Sequence, residues 1–254
     1  MAVDLGLGEV DAFLMIGQSN MAGRGDFGEV PEILNEKCFM LRNGHWWEMS
    51  EPINCDRGVF HTYGGNDKLH SGVGLAASFA DEYAKHYNRN IGLIPCADGA
   101  SPIVEWMPGE VLYDHALMQT RLAQRTSKVK GILWQHGEWD SDTPEHVAAY
   151  YDKCKEMMTT LRRDIGEGDI PILMGEIGEF IPLFENGRFK YSPDLNKVLH
   201  QLCRDMPNCK IVSSHGLSAR FDGQHFDSKA FRELGVRYFQ AYREWEEEHT
   251  CQNK

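Results

Sequence analysis

The sequence predicts an α/β domain with a mostly parallel sheet. Three observations carry this: short apolar runs, helical segments alternating with them, and polar or glycine-rich stretches where the runs end. The runs are residues 12–16 (AFLMI), 91–95 (IGLIP), 130–134 (KGILW), 170–174 (IPILM) and 210–212 (KIV). Uninterrupted apolar runs suit strands covered by helices on both faces, whereas a strand with one wet face alternates apolar and polar residues.

Between the runs lie helical patterns. Residues 74–86 carry apolar side chains at 75, 79, 80 and 83, one face of a helix. Thr143 followed by Pro144 reads as an N-cap with proline at the first helical position, opening a helix to about Asp164. Ser192-Pro193 repeats that signal before DLNKVLHQLC. Residues 228–248 form a long amphipathic helix whose last turns (EWEEEH) are solvated. Residues 23–71 read as long loops with a short hairpin at Asn43-Gly44. With no repeat, low-complexity tract or linker, residues 1–254 are expected to form one domain.

Composition narrows the partners. Thirty-eight acidic against 26 basic residues give a formal charge of -12, which disfavours nucleic acid and anionic lipid and suits a neutral ligand such as a sugar. No stretch approaches the roughly 18 apolar residues of a membrane span. The opening MAVDLGLGEVDAF lacks the basic and apolar regions of a secretory signal. Cysteines at 38, 55, 96, 154, 203, 209 and 251 are odd in number and scattered, so a reducing cytoplasm is expected. Cys203 and Cys209 read as buried apolar residues rather than metal ligands. Neither HExxH nor CxxC spacing occurs, and the glycine clusters lack dinucleotide and P-loop patterns, so neither metal nor cofactor is expected.

Ligands of open parallel sheets bind outside the carboxyl ends of the strands. Three segments change abruptly there: Gly17-Gln18-Ser19-Asn20, Ala97-Asp98-Gly99-Ala100-Ser101 and Gln135-His136-Gly137-Glu138. All three should meet at one sheet edge. A serine just past a strand faces backbone N–H groups of the next turn, which suit an oxyanion formed when it attacks an ester. The same position also suits a helix cap. A serine nucleophile needs a base and an acid that orients it, and Asp222-Gly223-Gln224-His225 offers both on one turn.

Together these segments resemble the SGNH hydrolases, in particular the branch of sialate O-acetylesterases and carbohydrate esterase family 6 acetylxylan esterases. Residues 17–23 (GQSNMAG) match that branch's first block without a difference. Its second block appears as PCADGASPIVEW at 95–106, its third as WQHGEWD at 134–140, and its last as DGQHF at 222–226, followed by REL-G-x-RY-x-x-A at 232–241. The resemblance implies a three-layer, flavodoxin-like α/β/α fold with a central parallel sheet of about five strands. It also implies a serine esterase acting on acetylated saccharides, with Ser19 as nucleophile, His225 as base and Asp222 as orienting acid.

The family's oxyanion hole uses the nucleophile's N–H, a second-block glycine and a third-block side-chain amide, which here implies Ser19 and Gly99. Two departures fall in it. The second glycine of block two is Ala100, which would be strained if the loop needs positive φ there. The family's glutamine aligns with His136, and the glutamine stands one place earlier at Gln135. His136 is expected to replace the amide as donor, because strand alternation turns its neighbour Gln135 to the other face. Gln18, Arg24, Gln135, Glu138 and Trp139 are candidate substrate contacts, with Glu138 and Asp140 also expected to tie loops together. Trp46, Trp47, Trp106 and Trp139 are placed near the cleft as surfaces for sugar rings. Two other readings stand beside this one: a hydrolase of other short acyl esters or thioesters, and a carbohydrate-binding protein with impaired catalysis.

Overall fold

A computed structural model describes residues 2–3, 10–54 and 71–252, with backbone alone for 2–3 and 251–252. Cys55, and the cysteine side chain at 251, lie outside the described parts. In chain order the elements are β1 (Ala2–Val3), β2 (Val10–Gly17), α1 (Ser19–Ala22), β3 (Cys38–Arg42), β4 (His45–Glu48), α2 (Leu75–Tyr87), β5 (Asn90–Pro95), α3 (Val111–Ala123), β6 (Ser127–Gln135), α4 (Pro144–Ile165), β7 (Ile172–Gly175), α5 (Ser192–Asp205), β8 (Cys209–Val212) and α6 (Ser228–Gln252). Short 3-10 turns occupy Ile103–Trp106, Glu138–Asp140 and Ile181–Asn186.

The described strands form one eight-stranded sheet in the order β1-β4-β3-β5-β2-β6-β7-β8. The six strands from β3 to β8 in that order are parallel, while β4 and β1 run antiparallel at one edge. All five expected strands are present. The additional parallel strand is β3, drawn from the segment read as loops, whose Cys38, Phe39 and Met40 pair with β5. Its turn into β4 is the expected hairpin: Asn43 and Gly44 have φ of 51° and 74°, the left-handed pair a two-residue turn of this hand requires.

Side-chain alternation along β2 builds two cores. Ala12, Leu14 and Ile16 join residues of α3, α4 and α5, including Leu112, Tyr150, Leu161 and Leu199. Phe13 and Met15 join residues of α2 and α6, including Phe79, Tyr83, Leu234 and Tyr238. The sheet therefore has helices on both faces, as its apolar strands demand.

Two helix starts, those of α4 and α6, carry a side-chain cap, and one expected cap is corrected. Thr143 Oγ1 accepts from the His146 N–H at 3.2 Å, with Pro144 at the first turn. Ser192 does not cap α5. Tyr191 holds that position without a side-chain bond, and the Ser192 hydroxyl is buried inside the first turn with no partner among the described residues. At α6 the cap is Asp227, whose Oδ1 accepts from Ala230 N at 2.8 Å.

Where α6 crosses α2, a glycine is required. A β-carbon on Gly235 would lie 2.0 Å from the Leu75 carbonyl and 2.9 Å from the Phe79 nitrogen, both backbone atoms. Gly235→Ala is expected to destabilise the protein by about 2–3 kcal/mol through overpacking. A chemical-denaturation midpoint unchanged from wild type would refute this.

The connections leaving β2 and β6 diverge, β2 leading toward β3 on one side and β6 toward β7 on the other. A crevice outside their carboxyl ends follows from that switch. Gly17 and Gln135 are paired there.

Candidate active site

Ser19 is set by the end of β2. Gly17 has φ 129°, and a β-carbon on it would lie 2.2 Å from the Gln135 carbonyl, so the strand passes against β6 at a point only glycine permits. The next residue, Gln18, donates its N–H to that carbonyl at 3.0 Å, and the chain turns into α1 with Ser19 as its first residue. The first N–H groups of a helix have no partner within it, so α1 leaves the Ser19 N–H unused by its own turn.

The second segment lies over this serine. Asp98 N donates to the Gly17 carbonyl at 2.9 Å, and a β-carbon on Gly99 would stand 3.6 Å from Ser19 Cβ and 2.9 Å from Arg24 Nη2. Ala100 does take positive φ, 61°, a conformation costing an L-residue about 1–2 kcal/mol. The loop is tied firmly enough to hold it. Ser101 Oγ donates to the Asp98 carbonyl at 2.7 Å and accepts from Trp106 Nε1 at 2.9 Å, and the Ser101 carbonyl accepts from both Gln18 Nε2 and His136 Nε2 at 2.8 Å.

The third component arrives from the turn before α6. An Ala219–Phe226 bridge and an Arg220 N–H donating to the His225 carbonyl close this turn, with Gly223 at φ 70°. His225 Nε2 lies 2.9 Å from Ser19 Oγ, and His225 Nδ1 lies 2.9 Å from Asp222 Oδ2. Asp222 Oδ1 accepts from the N–H groups of Gln224 and His225, each at 2.9 Å. Burial alone would raise this carboxyl. Its bonds from the imidazole and the two N–H groups outweigh burial and hold it well below the usual carboxylate range. The arrangement can therefore pass a proton from the serine hydroxyl to an imidazole whose far nitrogen is held by a carboxylate.

The expected oxyanion donor at position 136 is corrected. His136 is fully buried, stacked on Trp134 with ring centroids 4.4 Å apart, and both nitrogens are engaged: Nδ1 is 2.9 Å from Tyr150 OH and Nε2 donates to the Ser101 carbonyl. Burial pushes its pKa down to about 3, so it is neutral. Alternation does send Gln135 to the opposite face, as expected, but Gln135 is buried too. Its Nε2 donates to the Glu176 carbonyl and its Oε1 accepts from Tyr238 OH, both at 2.9 Å. Neither side chain presents a donor to Ser19.

Several expected substrate contacts are buried and hydrogen-bonded within the protein. Gln18 is buried and lashes three segments together, donating to Ser101 and accepting from the N–H groups of Gly137 and Glu138 at 3.0 and 3.1 Å. Arg24 is buried against Gly99 and donates to the Gly23 carbonyl and to Ser71 Oγ. Glu138 accepts from Asn20 Nδ2 at 2.7 Å, and Asn20 in turn accepts from Phe226 N, joining the serine segment to the histidine turn. Burial raises the Glu138 carboxyl, partly offset by that bond, and its Oε2 has no partner among the described residues.

Trp139 is half-buried, with Phe189 at 5.7 Å and the Arg188 guanidinium 4.5 Å over its ring. Trp106 is buried beneath Ser101 and edge-on to Trp134. Trp46 and Trp47 belong to the β4 edge. Trp46 Nε1 donates to Thr126 at the amino end of β6, away from Ser19. A residue that no motif singled out is Phe221, 86% exposed next to Asp222, beside a 430 Å³ cleft lined by Asp26, Glu29, Arg220 and Lys229. An exposed aromatic is invisible in sequence because most aromatic residues are core.

The parallel sheet and its covering helices are a fold of the lipase and acylhydrolase type: the lipase/acylhydrolase from Enterococcus faecalis superposes with a TM-score of 0.53 at 13% identity, over 91% of this chain and 94% of that one. The family profile described as carbohydrate esterase, sialic acid-specific acetylesterase matches residues 9–244, so the chain belongs to that family of carboxylic ester hydrolases. A protein of Arabidopsis thaliana described as a probable carbohydrate esterase is 27% identical over 250 residues, covering 91% of this chain and 89% of its own. Its crystal structure superposes with a TM-score of 0.79 at 25% identity, over 92% of this chain and 98% of that one. NanS superposes with a TM-score of 0.74 at 17% identity over 96% and 99% of the two chains. A carbohydrate acetylesterase from Xanthomonas citri gives 0.66 at 18% identity over 92% of this chain and 55% of that one.

Proposed function

We propose that the protein removes acetyl groups from O-acetylated carbohydrate by acyl transfer through Ser19. The observation that carries this is the continuous Ser19–His225–Asp222 relay, with both links at 2.9 Å. His225 accepts the Ser19 proton as Oγ attacks the ester carbonyl, while Asp222 holds the imidazole and stabilises its charged form. The sugar alcohol leaves with that proton, and water hydrolyses the acetyl-enzyme by the same route. The backbone N–H groups of Ser19 and Gly99 receive the oxyanion, each worth about 2.7–4 kcal/mol in the transition state.

Carbohydrate as substrate is supported by the family, by the Arabidopsis and Xanthomonas relatives, and by a charge of -12 that suits a neutral ligand. The test is labelling with a fluorophosphonate, followed by mapping the adduct and assaying acetate release from acetylated xylan, mannan and sialic acid substrates. One adduct on Ser19 together with acetate release is expected. Absence of any adduct would favour the binding-protein reading. A Ser19 adduct with release only from longer acyl esters or thioesters would favour the other hydrolase.

A further inference from the structure

Cys203 lies in the last turn of α5 and Cys209 opens β8, and their Sγ atoms are 3.0 Å apart as free thiols. The turn between them is held independently of the sulfurs. Asn208 reverses the chain at φ 54°, and Arg162 donates to the carbonyls of Pro207 and Asn208 at 2.7 and 2.6 Å. A disulfide needs its sulfurs about 2.05 Å apart, so closing this pair asks for roughly 1 Å of side-chain movement with the backbone in place. Cys203 is partly exposed, and Cys209 is buried beneath it. A third thiol, Cys154, is buried in the same core but without a described Sγ contact to either.

We propose that Cys203 and Cys209 form an oxidation site that closes to a disulfide in the presence of a small-molecule disulfide such as oxidised glutathione. The Cys203 thiolate attacks one glutathione sulfur, the glutathione S–S bond breaks, and one glutathione thiol leaves with a proton from solution. Cys209 then attacks the Cys203 sulfur of the mixed disulfide, releasing the second glutathione thiol. Two protein thiols lose two electrons and two protons, and the small disulfide gains both. The contact with Cys209, and after it burial, raise the Cys203 thiol, so the reaction is slow near neutrality and faster in alkali. The bond ties the end of α5 to the amino end of β8, the end away from the turn carrying Asp222 and His225. It is a staple on the strand that leads into the catalytic turn, and turnover should not need it. The cysteine pattern that suggested a reducing compartment thus contains one pair suited to an oxidising one.

The experiment is incubation of the folded protein with oxidised glutathione at about pH 8.5, alkylation of remaining thiols, tryptic digestion and mass spectrometry. Trypsin cuts after Arg204, so the bond would join peptides 198–204 and 205–210. The linked pair is expected, with a Tm about 5–9 °C above the reduced protein, reversed by dithiothreitol, and kcat within twofold. Cys203→Ser should abolish link and Tm gain while leaving the reduced-state Tm unchanged. Cys154→Ser should retain both. Alkylation of both cysteines after oxidation, a lasting glutathione adduct on Cys203, or a link through Cys154 would each overturn the proposal.

Discussion

Ser19→Ala is expected to lower kcat for p-nitrophenyl acetate by about 10⁴–10⁶-fold, with KM and Tm close to wild type. The substitution removes only Oγ. The Ser19 N–H remains, Gly99 still packs against the α1 start, and Gln18 still joins the three loops, so the fold has no reason to change. What is lost is the only serine oxygen bonded to His225 Nε2 among the described residues. Asp222→Asn should cost about 10⁴-fold by a different route, because an amide cannot hold the imidazole in its proper tautomer. The two losses should not add, since the residues act as one unit. Retention of more than about a hundredth of wild-type kcat by Ser19→Ala would remove Ser19 from the mechanism.

Much of this site was legible because its parts are local. Strand ends, turn residues and a D-x-x-H spacing fix where Ser19, Asp222 and His225 lie along their own segments, and the parallel sheet brings those segments together. What failed was orientation. Alternation placed Gln135 and His136 on opposite faces, and they are, against Tyr238 and Tyr150 respectively. Yet a motif aligns positions, and nothing in the WQHGEWD segment says that Tyr150, on the next helix, lies against the imidazole or that the Ser101 carbonyl waits on its other side. Gln18 failed likewise, because its partners come from two distant loops. In the fold, β3 escaped notice because CFMLR is five residues among glycines and asparagines. The helix α3 escaped because Glu110 offers no capping side-chain bond to announce it.

The buried histidine has a second consequence, expressed in stability and read through Asp140. Asp140 is buried, accepts from Ile103 N at 3.0 Å, and lies 3.9 Å from His136 Nε2. Burial raises its pKa to about 7, while burial lowers His136 to about 3. In the unfolded chain these groups titrate near their ordinary values, about 3.9 and 6.5. Between roughly pH 4 and 6.5 the unfolded pair is charged on both members, whereas the folded pair is neutral on both, with the same number of bound protons. Stability from the pair is then flat across that window.

Taken singly, the members pull in opposite directions. As pH falls, the folded state gains from Asp140, which it protonates more readily than the unfolded chain does. It loses from His136, which the unfolded chain protonates and the folded state does not. Asp140→Asn keeps an oxygen for Ile103 N but deletes the gain. The variant should therefore lose stability relative to wild type by about 1.4 kcal/mol per pH unit below about 7, reaching roughly 3 kcal/mol at about pH 4.5. That corresponds to roughly 6–12 °C in Tm for a chain of this size. His136→Gln should show the reverse slope, gaining on wild type as pH falls. Denaturation curves of the three proteins from about pH 4.5 to 7.5 decide the matter, and parallel curves for Asp140→Asn and wild type would show that the two groups are not neutralised by burial.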